Sequence, residues 1–136
     1  MNIDGGCFCG AIAYEAEVNP DRVGLCHCTD CQIMSGSAFR TVVATTAEKF
    51  RLTKGTLKTF VKTAESGNPR AMKFCGDCGT QMYGCEVGDD PGRISLRVGT
   101  INQREQLIPK RQVWRRSELP WLHQLPHIPG IETQDI

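Results

Sequence analysis

The sequence predicts an all-β domain of short antiparallel strands, on three observations. Hydrophobic residues alternate with polar ones at a period of two, turn signals recur every few residues, and no apolar stripe of helical period runs long enough to organise a helical core. The length of 136 residues and the hydrophobic content of 40% suit one domain with a core of ordinary size.

The first strand is expected over 11–18, where Ile12, Tyr14 and Ala16 alternate with Ala13, Glu15 and Glu17. Two brief helical turns follow from local signals. One spans 29–35 and is ended by Gly36; the other spans 47–50 behind the N-cap candidate Thr46. Further strands are expected over 37–44, 56–62, 70–74, 80–87 and 93–98, separated by turns such as Gly67-Asn68-Pro69 and Asp89-Asp90-Pro91-Gly92. After Trp114, Pro120, Pro126 and Pro129 forbid a long helix. The chain therefore reads as a core over about 3–116 and an irregular tail over 117–136, anchored by Trp121 and Leu122.

Sixteen basic and fifteen acidic side chains leave a formal charge of +1. That balance gives no general attraction for nucleic acid or an anionic membrane. Lys110-Arg111 and Arg115-Arg116 form the one local basic excess, read as a solvated edge strand whose charges discourage pairing with another chain. The opening residues, Met1 to Gly6, carry neither a basic nor an apolar leader region, and no apolar run approaches the roughly 18 residues of a membrane span. A soluble, cytoplasmic protein is expected, with its thiols reduced.

The eight cysteines fall into clusters: Cys7 and Cys9; Cys26, Cys28 and Cys31; Cys75 and Cys78; with Cys85 alone. Cysteines two or three apart grip one ion, whereas disulfide frameworks spread theirs to tie distant loops together. Cys7-Phe8-Cys9 and Cys75-Gly76-Asp77-Cys78 supply the four thiolates of a closed structural zinc site, with Gly6, Gly10, Gly76 and Gly79 flanking them. Cys26-His27-Cys28-Thr29-Asp30-Cys31 offers three thiolates from six residues, which leaves a corner of the tetrahedron open, as in catalytic zinc. Two arrangements compete with that reading. Cys85 or a histidine could fill the corner, or the three could share a site with Cys7 and Cys9. His27 lies between converging cysteines, so its ring should project elsewhere, while His123 and His127 read as ordinary tail residues. A redox-dithiol reading lacks the βαβ pattern that would support it.

Gly6-Cys7-Phe8-Cys9-Gly10, Cys26-His27-Cys28-Thr29-Asp30-Cys31 and Phe74-Cys75-Gly76-Asp77-Cys78-Gly79 together resemble the glutathione-dependent formaldehyde-activating family, which includes centromere protein V. The likeness extends through Met34-Ser35-Gly36-Ser37-Ala38-Phe39, Val98-Gly99-Thr100-Ile101-Asn102 and Pro120-Trp121-Leu122. The resemblance implies a zinc-containing β-tent fold with two Zn²⁺ ions, one structural on Cys7, Cys9, Cys75 and Cys78, and one catalytic on Cys26, Cys28 and Cys31. It implies a carbon–sulfur lyase that joins a glutathione-like thiol to a small aldehyde, in the manner of S-hydroxymethylglutathione formation. The carboxylates of such a thiol call for basic partners, with Arg40, Arg70, Lys73, Arg93 and Arg97 as candidates. The alternative function is a zinc-stabilised binding module without catalysis. B-type methionine sulfoxide reductases share a similar fold, but this chain departs from them in its triple-cysteine loop.

Overall fold

The computed structural model describes residues 1–134. Ten strands build two sheets: β1 (Asn2–Gly6), β2 (Ala13–Glu17), β3 (Val23–Cys26), β4 (Arg40–Thr46), β5 (Phe50–Lys54), β6 (Leu57–Thr63), β7 (Pro69–Cys75), β8 (Gln81–Glu86), β9 (Arg93–Arg97) and β10 (Arg111–Val113). A three-stranded sheet runs β1-β2-β5, and a seven-stranded sheet runs β10-β3-β4-β9-β8-β7-β6. The all-β expectation holds. Every pairing is antiparallel except the edge pair β10–β3, which is parallel.

The two sheets share one apolar core. Ile3, Tyr14 and Ala16 from the small sheet meet Val43, Ala71, Met82, Ile94 and Leu96 from the large one. The alternation read in the sequence is the cause: Ile12, Tyr14, Ala16 and Val18 are buried while Glu15 and Glu17 are exposed. Tyr14, Phe50 and Tyr83 pack in series across the junction, the first pair tilted and the second edge-to-face, with ring centroids 5.5 and 5.0 Å apart. Close backbone contact at Gly5, which bridges Ile101, needs the absence of a side chain. A Cβ there would lie 2.3 Å from the Thr100 carbonyl oxygen.

The single α-helix among the described residues, α1 (Thr29–Ser35), matches the expected span. Gly36 ends it in the left-handed conformation at φ 62°, donating its N–H back to Gln32 and Ile33 carbonyls. The turn after Thr46 is a 3₁₀ turn, Ala47–Lys49.

Three strands escaped the sequence reading, β1, β3 and β5, while β10 falls in the basic run that was read as an edge strand. β1 and β3 are glycine-bearing, and β5 has one partly buried residue and four exposed ones, so the alternation that marks a strand is weak in each. The tail also differs from expectation. Residues Pro120–His127 form a 3₁₀ helix that runs through Pro126 and buries none of its side chains. Consecutive 3₁₀ turns tolerate a missing N–H better than a continuous α ladder does, and Pro120 starts the first turn at a position where its N–H is dispensable. Trp121 is 46% exposed, so it does not anchor the tail as the sequence suggested; Leu122 is half-buried. The last two residues of the expected tail lie outside the described residues.

Candidate metal centres

The first centre sits where the turn after β1 meets the hairpin between β7 and β8. Cys7 N–H bonds the Ile12 carbonyl at 3.1 Å and Gly10 N–H bonds the Cys7 carbonyl at 3.3 Å, in a turn that brings the buried Cys7 and the exposed Cys9 together. In the hairpin, Cys75 N–H bonds the Thr80 carbonyl at 2.9 Å and Gly79 N–H bonds the Cys75 carbonyl at 2.8 Å. Gly10 and Gly79 are required by their left-handed backbone at φ 81° and 77°, and Gly6 by space, since a Cβ there would lie 2.5 Å from the Ile12 carbonyl oxygen.

The four sulfurs of Cys7, Cys9, Cys75 and Cys78 lie within 4.8 Å of one another. Cys7 and Cys9 Sγ are 3.6 Å apart, and Cys9 and Cys75 Sγ are 3.8 Å apart. A tetrahedron of thiolates at zinc–sulfur bonds of about 2.3 Å requires separations of about 3.8 Å, so the set fits the ion. Ile12 N–H donates to Cys7 Sγ at 3.2 Å, and the Thr80 hydroxyl contacts Cys78 Sγ at 3.2 Å. The Thr80 hydrogen bond, aided by backbone N–H groups, pulls the Cys78 thiol down to about 5. Thr80 Oγ1 also accepts from Phe8 N–H at 3.2 Å, so one hydroxyl ties the two cysteine loops together. Sequence reading missed Thr80; its position two residues after Cys78 was the available signal.

The second centre lies at the end of β3. Strand pairing places Cys26 opposite Arg40 on β4. Cys28 is the N-cap of α1, its Sγ accepting from Cys31 N–H at 3.3 Å, and Cys31 sits in the first helical turn. Gln32 Nε2 holds the loop by donating to the carbonyls of His27 and Ser117, each at 2.9 Å. The sulfurs of Cys26, Cys28 and Cys31 lie within 4.8 Å of one another, and among the described residues the group stops at three. The three thiols share protons unequally. Cys26 falls to about 5, chiefly through its hydrogen bond with Cys31, with burial opposing and the Arg40 charge assisting. Cys31 moves upward because Cys26 holds the negative charge beside it and because it is buried. A divalent cation would take the place of those protons.

The seven sulfurs thus divide four and three. The second group does not merge with Cys7 and Cys9, and Cys85 joins neither group. Cys85 lies on β8, 2% exposed in the apolar core, where burial raises its thiol pKa. His27 is 1% exposed, with Nε2 hydrogen-bonded to Gln112 Oε1 at 2.8 Å, its ring edge-on to Phe39, and no partner for Nδ1. His123 and His127 are exposed in the tail helix.

Of the five basic candidates, two stand close to the second centre. Arg40 and Arg97 are 6% and 8% exposed, and Arg40 acts electrostatically on both Cys26 and Cys31. Val42 pairs with Arg97, which puts Arg97 on the same face of the large sheet as Arg40 and Cys26. Arg70 is half-buried and adds to the positive field at Arg97. Lys73 instead donates to Thr59 Oγ1 at 2.7 Å, and Arg93 lines a cleft with Met1, Glu17 and Val18. Two further basic residues reach a cleft of about 480 Å³ that opens directly at Cys28: Lys62 and Arg116, beside Trp114. Each is held by a carboxylate, Lys62 by Asp30 at 2.7 Å and Arg116 by Glu65 at 3.0 Å. Arg116 also stacks over Trp114 at 4.8 Å. The basic run around Trp114 does lie at a sheet edge, since β10 is the outermost strand beside β3.

The model of the family described as glutathione-dependent formaldehyde-activating enzyme matches residues 2–117, most of the chain. The chain belongs to this family. No curated protein matches it in sequence. A crystal structure of a Rhodobacter sphaeroides protein, a structural genomics target, superposes with a TM-score of 0.60 at 17% identity, over 81% of this chain and 99% of that one. At that identity the likeness speaks for the fold. Membership in the formaldehyde-activating family brings glutathione and formaldehyde into consideration, and the two cysteine groups could hold metal ions. None of the helices among the described residues is long and apolar enough to cross a membrane.

Proposed function

We propose that this protein is a zinc-dependent carbon–sulfur lyase that joins a glutathione-like thiol to a small aldehyde, of the S-hydroxymethylglutathione-forming type. Cys7, Cys9, Cys75 and Cys78 would hold a structural zinc, and Cys26, Cys28 and Cys31 a catalytic one. The observation that carries the reading is a three-sulfur group whose member Cys28 borders an open cleft.

Three protein ligands leave one position of a tetrahedral ion to an outside group. Zinc bound there would supply a site at which a thiol ionises near neutral pH. Three thiolates on Zn²⁺ leave a formal charge of −1, which suits a soft sulfur ligand better than hydrolysis. The chain's own residues do the rest. Cys28 faces the cleft, Lys62 and Arg116 line it within reach of an anionic substrate, and Trp114 gives it an apolar wall. Addition forms one sulfur–carbon bond, opens the carbonyl π bond and moves the thiol proton to oxygen, so no oxidant or reductant is needed.

Replacing the metal by cobalt tests this reading. Glutathione should change the visible spectrum of the second site, and a spectrum indifferent to the thiol contradicts direct ligation. A fourth ligand from the protein would instead make the centre a stabilising element of a binding module.

A further inference from the structure

A second cleft, of about 390 Å³, lies at the other end of α1 from Cys28. It is lined by Met34 and Ser35 of the helix, by Thr41, Gln81 and Thr100, and by Arg40 and Arg97. Both arginines are more than nine-tenths buried, yet among the described residues neither pairs with a carboxylate. Arg40 Nη2 donates to Gln81 Oε1 at 3.1 Å; Arg97 Nη1 donates to the Ser95 carbonyl at 3.1 Å, and Nη2 to Met72 Sδ at 3.4 Å. Arg97 Nε has no partner.

Burying a guanidinium beside another guanidinium, with only neutral acceptors, is unfavourable on both desolvation and like-charge grounds. Burial first, and Arg40 second, push the Arg97 pKa down to about 9, which still leaves it charged at neutral pH. The nearby three-thiolate group with zinc would carry −1 against the two arginines' +2, so one positive charge is left uncompensated. The sheet also makes room for this charge. Gly84 lacks the Cβ that would sit 3.2 Å from Arg97 Nη2, where the guanidinium crosses β8 toward Met72. The Thr41 side chain also lines this space and brings a hydroxyl to it, whereas the Thr100 and Ser35 hydroxyls donate to the Arg97 and Gln32 carbonyls.

We infer that the Arg40–Arg97 cleft is a carboxylate-binding site, separate from the cleft at Cys28. A carboxylate there would accept from two guanidiniums at once and supply the missing negative charge. Its source is either the thiol substrate, reaching across α1, or a separate small organic acid.

Calorimetry and ¹⁵N NMR of the arginine Nε–H groups on the metal-loaded full chain test this, using S-methylglutathione, which has carboxylates but no thiol, and acetate. S-methylglutathione should bind, shift the Arg97 Nε–H resonance and be displaced by acetate; Arg97→Met and Arg40→Met should each weaken it about tenfold or more. Acetate binding that both variants weaken, without S-methylglutathione binding, supports the site and assigns it to a separate acid. Absence of binding by both probes, or variants that bind as the unaltered chain does, overturns the inference. If one variant does not fold, the other variant and the Arg97 resonance decide. N-acetylcysteamine, a thiol without a carboxylate, acting on the cobalt spectrum tests thiol ligation alone, so the two proposals can fail separately.

Discussion

Replacing Cys75 by serine removes one sulfur from the four-cysteine group while leaving the backbone hydrogen bonds of its hairpin available. Cys9 and Cys75 are 66 positions apart. A cross-link closing a loop of that length restricts the unfolded chain by about 4 kcal/mol, and a metal clip acts in the same sense. Cys75 is 1% exposed, so an uncoordinated hydroxyl in its place adds about 1–3 kcal/mol. The sum, about 5–7 kcal/mol, is comparable with the whole stability of many domains, about 5–15 kcal/mol. Cys28→Ser provides the contrast. Cys28 caps α1 through its Sγ, and serine is a preferred residue for that role, so this variant should unfold within about 0.5 kcal/mol of the original. Urea unfolding with metal content measured on each folded fraction is the assay. Cys75→Ser should lose solubility or melt roughly 15 °C or more lower, whereas Cys28→Ser should keep its fold and lose turnover. A Cys75→Ser protein with the original midpoint and a full metal complement would refute the ligand partition.

Thr80→Val breaks both links that its hydroxyl makes, to Phe8 N–H and to Cys78 Sγ, and should speed metal loss to a chelator by about tenfold, while a variant with unchanged loss would remove Thr80 from the account. Gly55→Ala should destabilise by about 2 kcal/mol or more in thermal unfolding, because residue 55 has φ 85° and a Cβ there would meet the Ala11 carbonyl oxygen at 2.2 Å. In metal-free protein, Cys26 should alkylate as a thiolate once the pH exceeds about 5, well below the ordinary thiol value of 9.0. The sign follows from the direction of the shift: a depressed folded pKa favours the folded state fully above pH 9.0, and that favour is lost as pH falls through about 5. Cys31 shifts the opposite way, so labelling by mass spectrometry, rather than stability, is the clean readout. Labelling of Cys26 that rises only near pH 9.0 would contradict the shared-proton geometry.

The two cysteine groups were legible because their information is local. Ligands two or three positions apart need only a turn to converge, and the sequence showed both the cysteines and the turn residues around them. What spacing left open was which clusters meet. That depended on β1 and β2 packing beside the β7–β8 hairpin, a contact between residues more than sixty positions apart that no local pattern encodes. Most strands with clean alternation were found; the short, glycine-bearing β1 and β3 and the thinly buried β5 were not. Choosing among five basic residues likewise required the register that sets Arg40 against Cys26 and Val42 against Arg97. Trp121 misled in the other direction, since a large apolar side chain is an invitation to burial that the fold does not always take up.

Metal stoichiometry combined with X-ray absorption at the zinc edge, on the unaltered chain and on the Cys28→Ser variant that should keep its fold, bears most directly on the reading of the seven sulfurs. Two ions per chain are predicted, with the ion on Cys26, Cys28 and Cys31 showing three sulfurs and one lighter ligand that glutathione replaces by sulfur. One ion per chain, or a second ion already holding four ligands from the protein, would contradict it.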